Sequence, residues 1–212
     1  MDEDPAAGIL EVAAVSRALA GETETGDRHV IARSGDSVLV AAIDGLGHGP
    51  SAAHASEIAA EIFRKFADES LEVLVDRCHE ALRASRGVAM SLAVIKGGSS
   101  TLTWAGVGNV EARLVRAAGD VRPASESALL RAGIVGYRLP AVRPSTLPIN
   151  RGDLLIMATD GISPVFADGV ILGHSPQKIA GEIMTSHRKH DDALVVVARY
   201  LGGERADPPA NN

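Results

Sequence analysis

The chain has 212 residues, 46% hydrophobic and 23% charged, an ordinary balance for a globular protein with one sizeable core or two small domains. A net charge of −6, from 21 basic against 27 acidic side chains, argues against broad nucleic-acid binding, which needs a basic surface. The single cysteine, Cys78, excludes an intrachain disulfide and a zinc–cysteine cluster, and no apolar run approaches the ~20 residues that span a bilayer. The acidic start MDEDPAAG does not read as a signal peptide, so the default expectation is a soluble, cytoplasmic monomer without nucleic-acid or membrane partners.

Aromatics are only 3% of the chain, so Leu, Val, Ile and Ala must fill the core. Residues 9–19 predict a first strand. Residues 29–32 predict a second, joined through the turn Ser34-Gly35-Asp36-Ser37 to a third, the apolar run at 38–43. That third run ends on Asp44, and Gly45, Gly47 and Gly49 follow, so the chain turns tightly with its backbone open to a ligand. Pro50 then suits the first turn of a helix, which carries Ala55, Ile58, Ala59, Ile62, Phe63 and Phe66 on one face. Leu71, Leu74, Val75, Cys78, Ala81 and Leu82 mark a second amphipathic helix, with Cys78 on its core side.

Three strands are expected at 88–95, 101–107 and 110–115, the last two joined as a hairpin at Gly108-Asn109. Residues 119–150 lose periodicity and hold four prolines, which predicts a long irregular connection. A strand at 153–159 runs into Asp160-Gly161. Ser175-Pro176 caps a helix to about residue 187, where His187 and His190 suit the helix dipole better than a zinc site. Asp191-Asp192 opens the final strand, ALVVVARYL, and residues 202–212 are expected to form a frayed tail behind a single domain at 1–201. Hairpin-length connections and this order imply an α+β fold, an antiparallel β-sandwich flanked by helices in α-β-β-α layers.

The acidic residues cluster at strand ends. With Gly35 and Asp36 as turn residues, Asp27 lies opposite Asp44, which puts their Cβ atoms roughly 4.5–5.5 Å apart, where like charges repel. If the last two strands pair antiparallel, Asp160 and Asp191 meet at one end as well. Four gathered carboxylates call for cations, and oxygen-only ligands select hard ions such as Mg²⁺ or Mn²⁺. Two such ions, roughly 3.5–4 Å apart, can activate water against a phosphoryl group. Each residue has a plainer reading: Asp44 as a helix cap, Asp27 and Asp160 as turn residues, His48 as a polar loop residue.

TGDRHV, AIDGLGHGP, GVGN, ATDGI and DDALVVVA, spread over residues 25–199, resemble the PPM-type metal-dependent protein serine/threonine phosphatases. The resemblance is to their bacterial sporulation and stress-response branch, and is closest to the short RsbX-type phosphatases. It implies a metal-dependent enzyme hydrolysing phosphoserine or phosphothreonine with metal-activated water, on phosphorylated STAS-domain proteins of the stressosome. By position, Asp44 resembles the bridging ligand of two Mn²⁺ or Mg²⁺ ions and Gly45 the ligand acting through its carbonyl. Asp160 and Asp191 resemble the ligands of one metal, and Asp27 an additional acidic residue. Asp192 and His48 are read as neighbours of the site. Leu194 stands where that family often has Thr, and the phosphate-binding Arg of its eukaryotic branch has no obvious counterpart.

Two other classes compete. A haloacid-dehalogenase-type phosphatase would use Asp44 as nucleophile, but it wants a second Asp where Leu46 stands. A catalytically silent binding module would not need Asp44, Asp160 and Asp191 intact. For substrate docking the sequence offers residues 111–151, with seven arginines against three acids, a local net charge of +4. Arg131, Arg138 and Arg143 are the candidates there, because arginine's planar fork suits phosphate and carboxylate.

Overall fold

The apolar runs of the sequence become strands whose two faces both find apolar partners. The computed structural model describes residues 4–119, 121 and 123–203. Its elements are, in order, β1 (Leu10–Arg17), β2 (Asp27–Ser34), β3 (Ser37–Gly45), α1 (Pro50–Lys65), α2 (Leu71–Ala81), β4 (Val88–Lys96), β5 (Thr101–Val107) and β6 (Glu111–Val115). There follow β7 (Ser125–Ser127), β8 (Leu130–Arg131), β9 (Ser145–Pro148), β10 (Leu154–Ala158), α3 (Pro176–His187) and β11 (Ala193–Tyr200). One sheet has the order β1-β11-β10-β6-β7. The other has β2-β3-β4-β5-β8, with β9 also on β5. All pairings are antiparallel except β5 with β8.

Period-two alternation builds the layers. In β3, Val38, Val40 and Ala42 face the other sheet, whereas Leu39, Ala41 and Ile43 pack under α1 and α2. In β11, Leu194, Val196 and Ala198 face inward, and Ala193, Val195 and Val197 lie against α3. The expected α-β-β-α sandwich is therefore the observed one. Cys78 lies in the core beneath α2, where burial pushes its thiol up to about 12. Ser175 accepts from the Lys178 amide at 3.3 Å, and Pro176 opens α3 as predicted.

Two expectations are corrected. Gly108-Asn109 is not a hairpin: β5 pairs with β4, β8 and β9, while β6 pairs with β10 and β7 in the other sheet. The turn chemistry is real, with Gly108 at φ +91°, but both edges of β5 already have partners, so the chain crosses the core instead. The stretch at 119–150 is not wholly irregular, since it contributes β7, β8 and β9 to the sheet edges. Asp120 and Arg122 lie outside the described residues, as does the expected tail beyond Gly203.

Candidate active site

Antiparallel register, rather than closeness in sequence, assembles the site. Asp27 stands opposite Asp44 as the turn at Gly35-Asp36 requires, and Gly45 pairs with Val88. Across the sandwich, Ala158 pairs with Val195, so Asp160 just past β10 lies beside Asp191 and Asp192 just ahead of β11. Both sets border a cavity of about 200 Å³ lined by Asp44, Leu46, Gly47, His48, Asn109, Asp160, Asp191 and Asp192. A roomier groove of about 560 Å³ lies beside Ser34, Asp68 and Thr146 at the opposite end. Converging carboxylates, not volume, single out the smaller one.

The carboxylates have distinct surroundings. Asp27 is buried, and its Oδ2 accepts from the Thr159 hydroxyl at 2.7 Å, whose oxygen accepts in turn from the Leu194 amide at 2.8 Å. Asp44 is half-buried, and no donor among the described residues reaches its carboxylate. Burial first, and then the neighbouring carboxylates, push Asp44 up to about 8. Burial pushes Asp27 up to about 7 against the opposing Thr159 hydrogen bond. Asp160 is raised as well, by partial burial and then by Asp191, while it accepts from Asn109 Nδ2 at 2.6 Å.

The two adjacent acids divide their tasks. Asp192 is buried, with Oδ1 accepting from the Leu19 amide at 2.6 Å and Oδ2 from the Gly26 amide at 2.8 Å. It anchors the segment that leads into β2. Asp191 is exposed on the cavity, with Oδ1 accepting from the Asp192 amide at 2.8 Å.

Glycines bring these strand ends together. A Cβ on Gly45 would lie 2.2 Å from the Ala52 carbonyl in the first turn of α1, and one on Gly161 would lie 1.8 Å from the Asp192 carbonyl. Glycine after Asp44 and after Asp160 is therefore a requirement of close backbone approach.

A divalent ion fits this donor set. It is all oxygen, it carries excess negative charge, and among the described residues Asp44 has no other partner. Among the described residues no three His, Cys, Asp or Glu side chains close on one point.

His48 lines the cavity, and its Nδ1 pairs with Glu22 Oε1 at 2.5 Å. Sequence reasoning missed Asn109, Thr159 and Glu22. Asn109 was hidden by the hairpin reading. Thr159, a polar residue closing an apolar strand directly before Asp160, was a legible signal. The arginine-rich stretch is split by the fold. Arg116 is buried, with Nη1 2.9 Å from Asp153 and a second pairing to Glu126, and Arg113 pairs with Glu111. Arg131 sits at the site end of β5, where its carbonyl accepts from Gly108, and Arg138 follows it. Arg143 lies farther along, just ahead of β9, which starts opposite Trp104.

Residues 34–201 match the family of Stage II sporulation protein E, SpoIIE. The chain belongs to the SpoIIE family. It is 26% identical over 174 residues to the phosphoserine phosphatase RsbX of Bacillus subtilis (strain 168), covering 81% of this chain and 85% of that protein. A solved chain described as part of the bacterial stressosome, "a modular system that has been adapted to control secondary messenger signaling", superposes with a TM-score of 0.80 at 28% identity. That match covers 90% of this chain and 99% of the other. RsbX in complex with magnesium also superposes at 0.80, with 20% identity over 91% of this chain and 96% of that one. The SpoIIE-family sandwich described above is thus a PP2C-type phosphatase fold.

Proposed function

We propose that this SpoIIE-family chain is a metal-dependent phosphoprotein phosphatase that hydrolyses phosphoserine or phosphothreonine on a regulatory protein of a bacterial stress-signalling pathway. The observation that carries the reading is the convergence of Asp44, Asp160 and Asp191 from three strand ends on one cavity, with Asp27 buried opposite Asp44. Asp44, Asp160, Asp191 and the Gly45 carbonyl would hold two Mg²⁺ or Mn²⁺ ions, with Asp27 as an added acid. Such ions, when bound, lower the pKa of a coordinated water and neutralise the charge of the phosphoryl group. The chain's own residues orient and insulate. Asn109 steers the Asp160 carboxylate, Thr159 ties Asp27 to β11, and Asp192 fixes the chain entering β2.

The substrate class in this reading is STAS-domain proteins of a stressosome, in the cytoplasm; likeness to the phosphoserine phosphatase RsbX and to a stressosome chain supports a regulatory phosphoprotein as the partner. The docking surface is the stretch beside the cavity, where Arg131 and Arg138 accompany Leu129 and Tyr137, which are 65% and 83% exposed, with Arg143 beyond them. Residues 1–201 act as one phosphatase domain, and one copy suffices.

A panel of phosphorylated STAS-domain proteins and an aryl phosphate, assayed with Mn²⁺ and with EDTA, tests this. The expected outcome is turnover that needs the metal and stops with the chelator. Trapping an aspartyl phosphate on Asp44 would overturn it and favour a dehalogenase-type mechanism.

A further inference from the structure

The phosphoryl group needs a cationic partner besides metal, and most basic groups near the cavity are engaged. Arg28 binds Glu57 and the Thr25 and Asp27 carbonyls; Arg188 binds the Ala18 and Asp191 carbonyls; His48 pairs with Glu22. Lys189 stands close enough to Asp160 to be paired with it electrostatically. Arg86 differs: among the described residues its guanidinium has no hydrogen bond or ion pair. It lies over Gly47, with Nη1 2.6 Å from where a Cβ would stand. Gly47, at φ +89°, lines the carboxylate cavity, so the bare glycine is what lets the guanidinium settle on the rim.

The backbone beneath Arg86 is pinned. The Gly87 carbonyl accepts from the Leu46 amide at 3.1 Å, Gly87 donates to Ser85 Oγ at 3.0 Å, and Val88 exchanges two hydrogen bonds with Val135. Arg86 also borders a groove with Pro50, Ser51 and His54. A fixed base and a free planar fork at the mouth of an acidic cavity suit an anion arriving from solvent.

We propose that Arg86 is the phosphate-capturing residue of this site, gripping the non-reacting phosphoryl oxygens of the incoming phosphomonoester. The inference rests on the phosphatase reading above but has its own readout. Inorganic phosphate, titrated calorimetrically into the protein with Mg²⁺, should bind the wild type. Arg86→Ala should weaken that binding at least about tenfold, the usual worth of a hydrogen bond to a charged group. Arg86→Lys should recover only part of the loss, because it restores the charge without the fork. Arg83→Ala removes an equal charge from a guanidinium already paired with Glu80, and should bind phosphate as wild type does. With an aryl phosphate, Arg86→Ala should raise KM far more than it lowers kcat. Equal phosphate affinity in wild type and Arg86→Ala, an equal loss in Arg83→Ala, or no binding to wild type would each overturn the proposal. Failure of wild type to turn over any phosphoester with Mn²⁺ would instead count against the phosphatase reading.

Discussion

Single carboxylates carry the sharpest consequences. Asp44→Asn and Asp160→Asn should each reduce turnover by orders of magnitude in a folded protein, measured with an aryl phosphate and Mn²⁺. Asp191 and Asp192 should separate by type of damage. Asp192 holds two backbone amides, so Asp192→Asn should lower stability by about 1–3 kcal/mol in denaturant titration. Among the described residues Asp191 holds only its neighbour's amide, so Asp191→Asn should weaken metal binding and activity and leave the melting temperature nearly unchanged. The opposite pattern would reassign the ligand.

Elements meet at this site through glycine. Gly45→Ala forces a methyl group into the first turn of α1, and Gly161→Ala forces one into the Asp192 carbonyl, backbone in both cases. Neither neighbour is a flexible side chain that can swing away, so each substitution should cost about 1–3 kcal/mol or more. Metal affinity should fall in both, since the strand ends must part. At the start of β10, the end away from the cavity, Asp153→Ala leaves the buried Arg116 without one of its two acidic partners. Loss of about 3–5 kcal/mol in urea unfolding is expected, as for other broken buried pairs. Activity per folded molecule should be unchanged, because this pair is not on the cavity.

At the scale of the whole molecule, the raised carboxylates set a pH dependence. Asp44 and Asp27 are held above their ordinary value of 3.8, so without metal the folded chain binds protons that the unfolded chain has released. That stability is complete below about 3.8 and is lost as pH rises through about 7 to 8. Metal-free protein should therefore melt at a higher temperature at pH 6 than at pH 9. Asp44→Asn should flatten the slope and melt above metal-free wild type at the alkaline end. Thermal melts in EDTA across that range decide it. The docking surface is tested separately: reversing the charge of Arg131, Arg138 and Arg143 should cripple action on a phosphoprotein and leave aryl phosphate hydrolysis nearly intact. Equal loss on both substrates would mark these arginines as structural.

Local chemistry determined much of this molecule. The Gly35-Asp36 turn set the register that opposes Asp27 to Asp44, and period-two alternation in β3 and β11 prescribed two covered faces, hence four layers. Strand-end acids followed by glycine marked the cavity, because charge at the end of an apolar run has few structural uses. Tertiary structure alone decided the rest. Gly108-Asn109 has the composition of a hairpin, yet the occupied edges of β5 send the chain across the core and deliver Asn109 to Asp160. Which of two adjacent acids has its oxygens taken up by backbone depended on where the Leu19 and Gly26 amides came to lie, more than 160 positions away in the chain. Arg86 looked like any surface arginine in sequence. Only the packing of its loop onto Gly47 distinguishes it, since free charge is a property of what surrounds a residue and not of the residue itself.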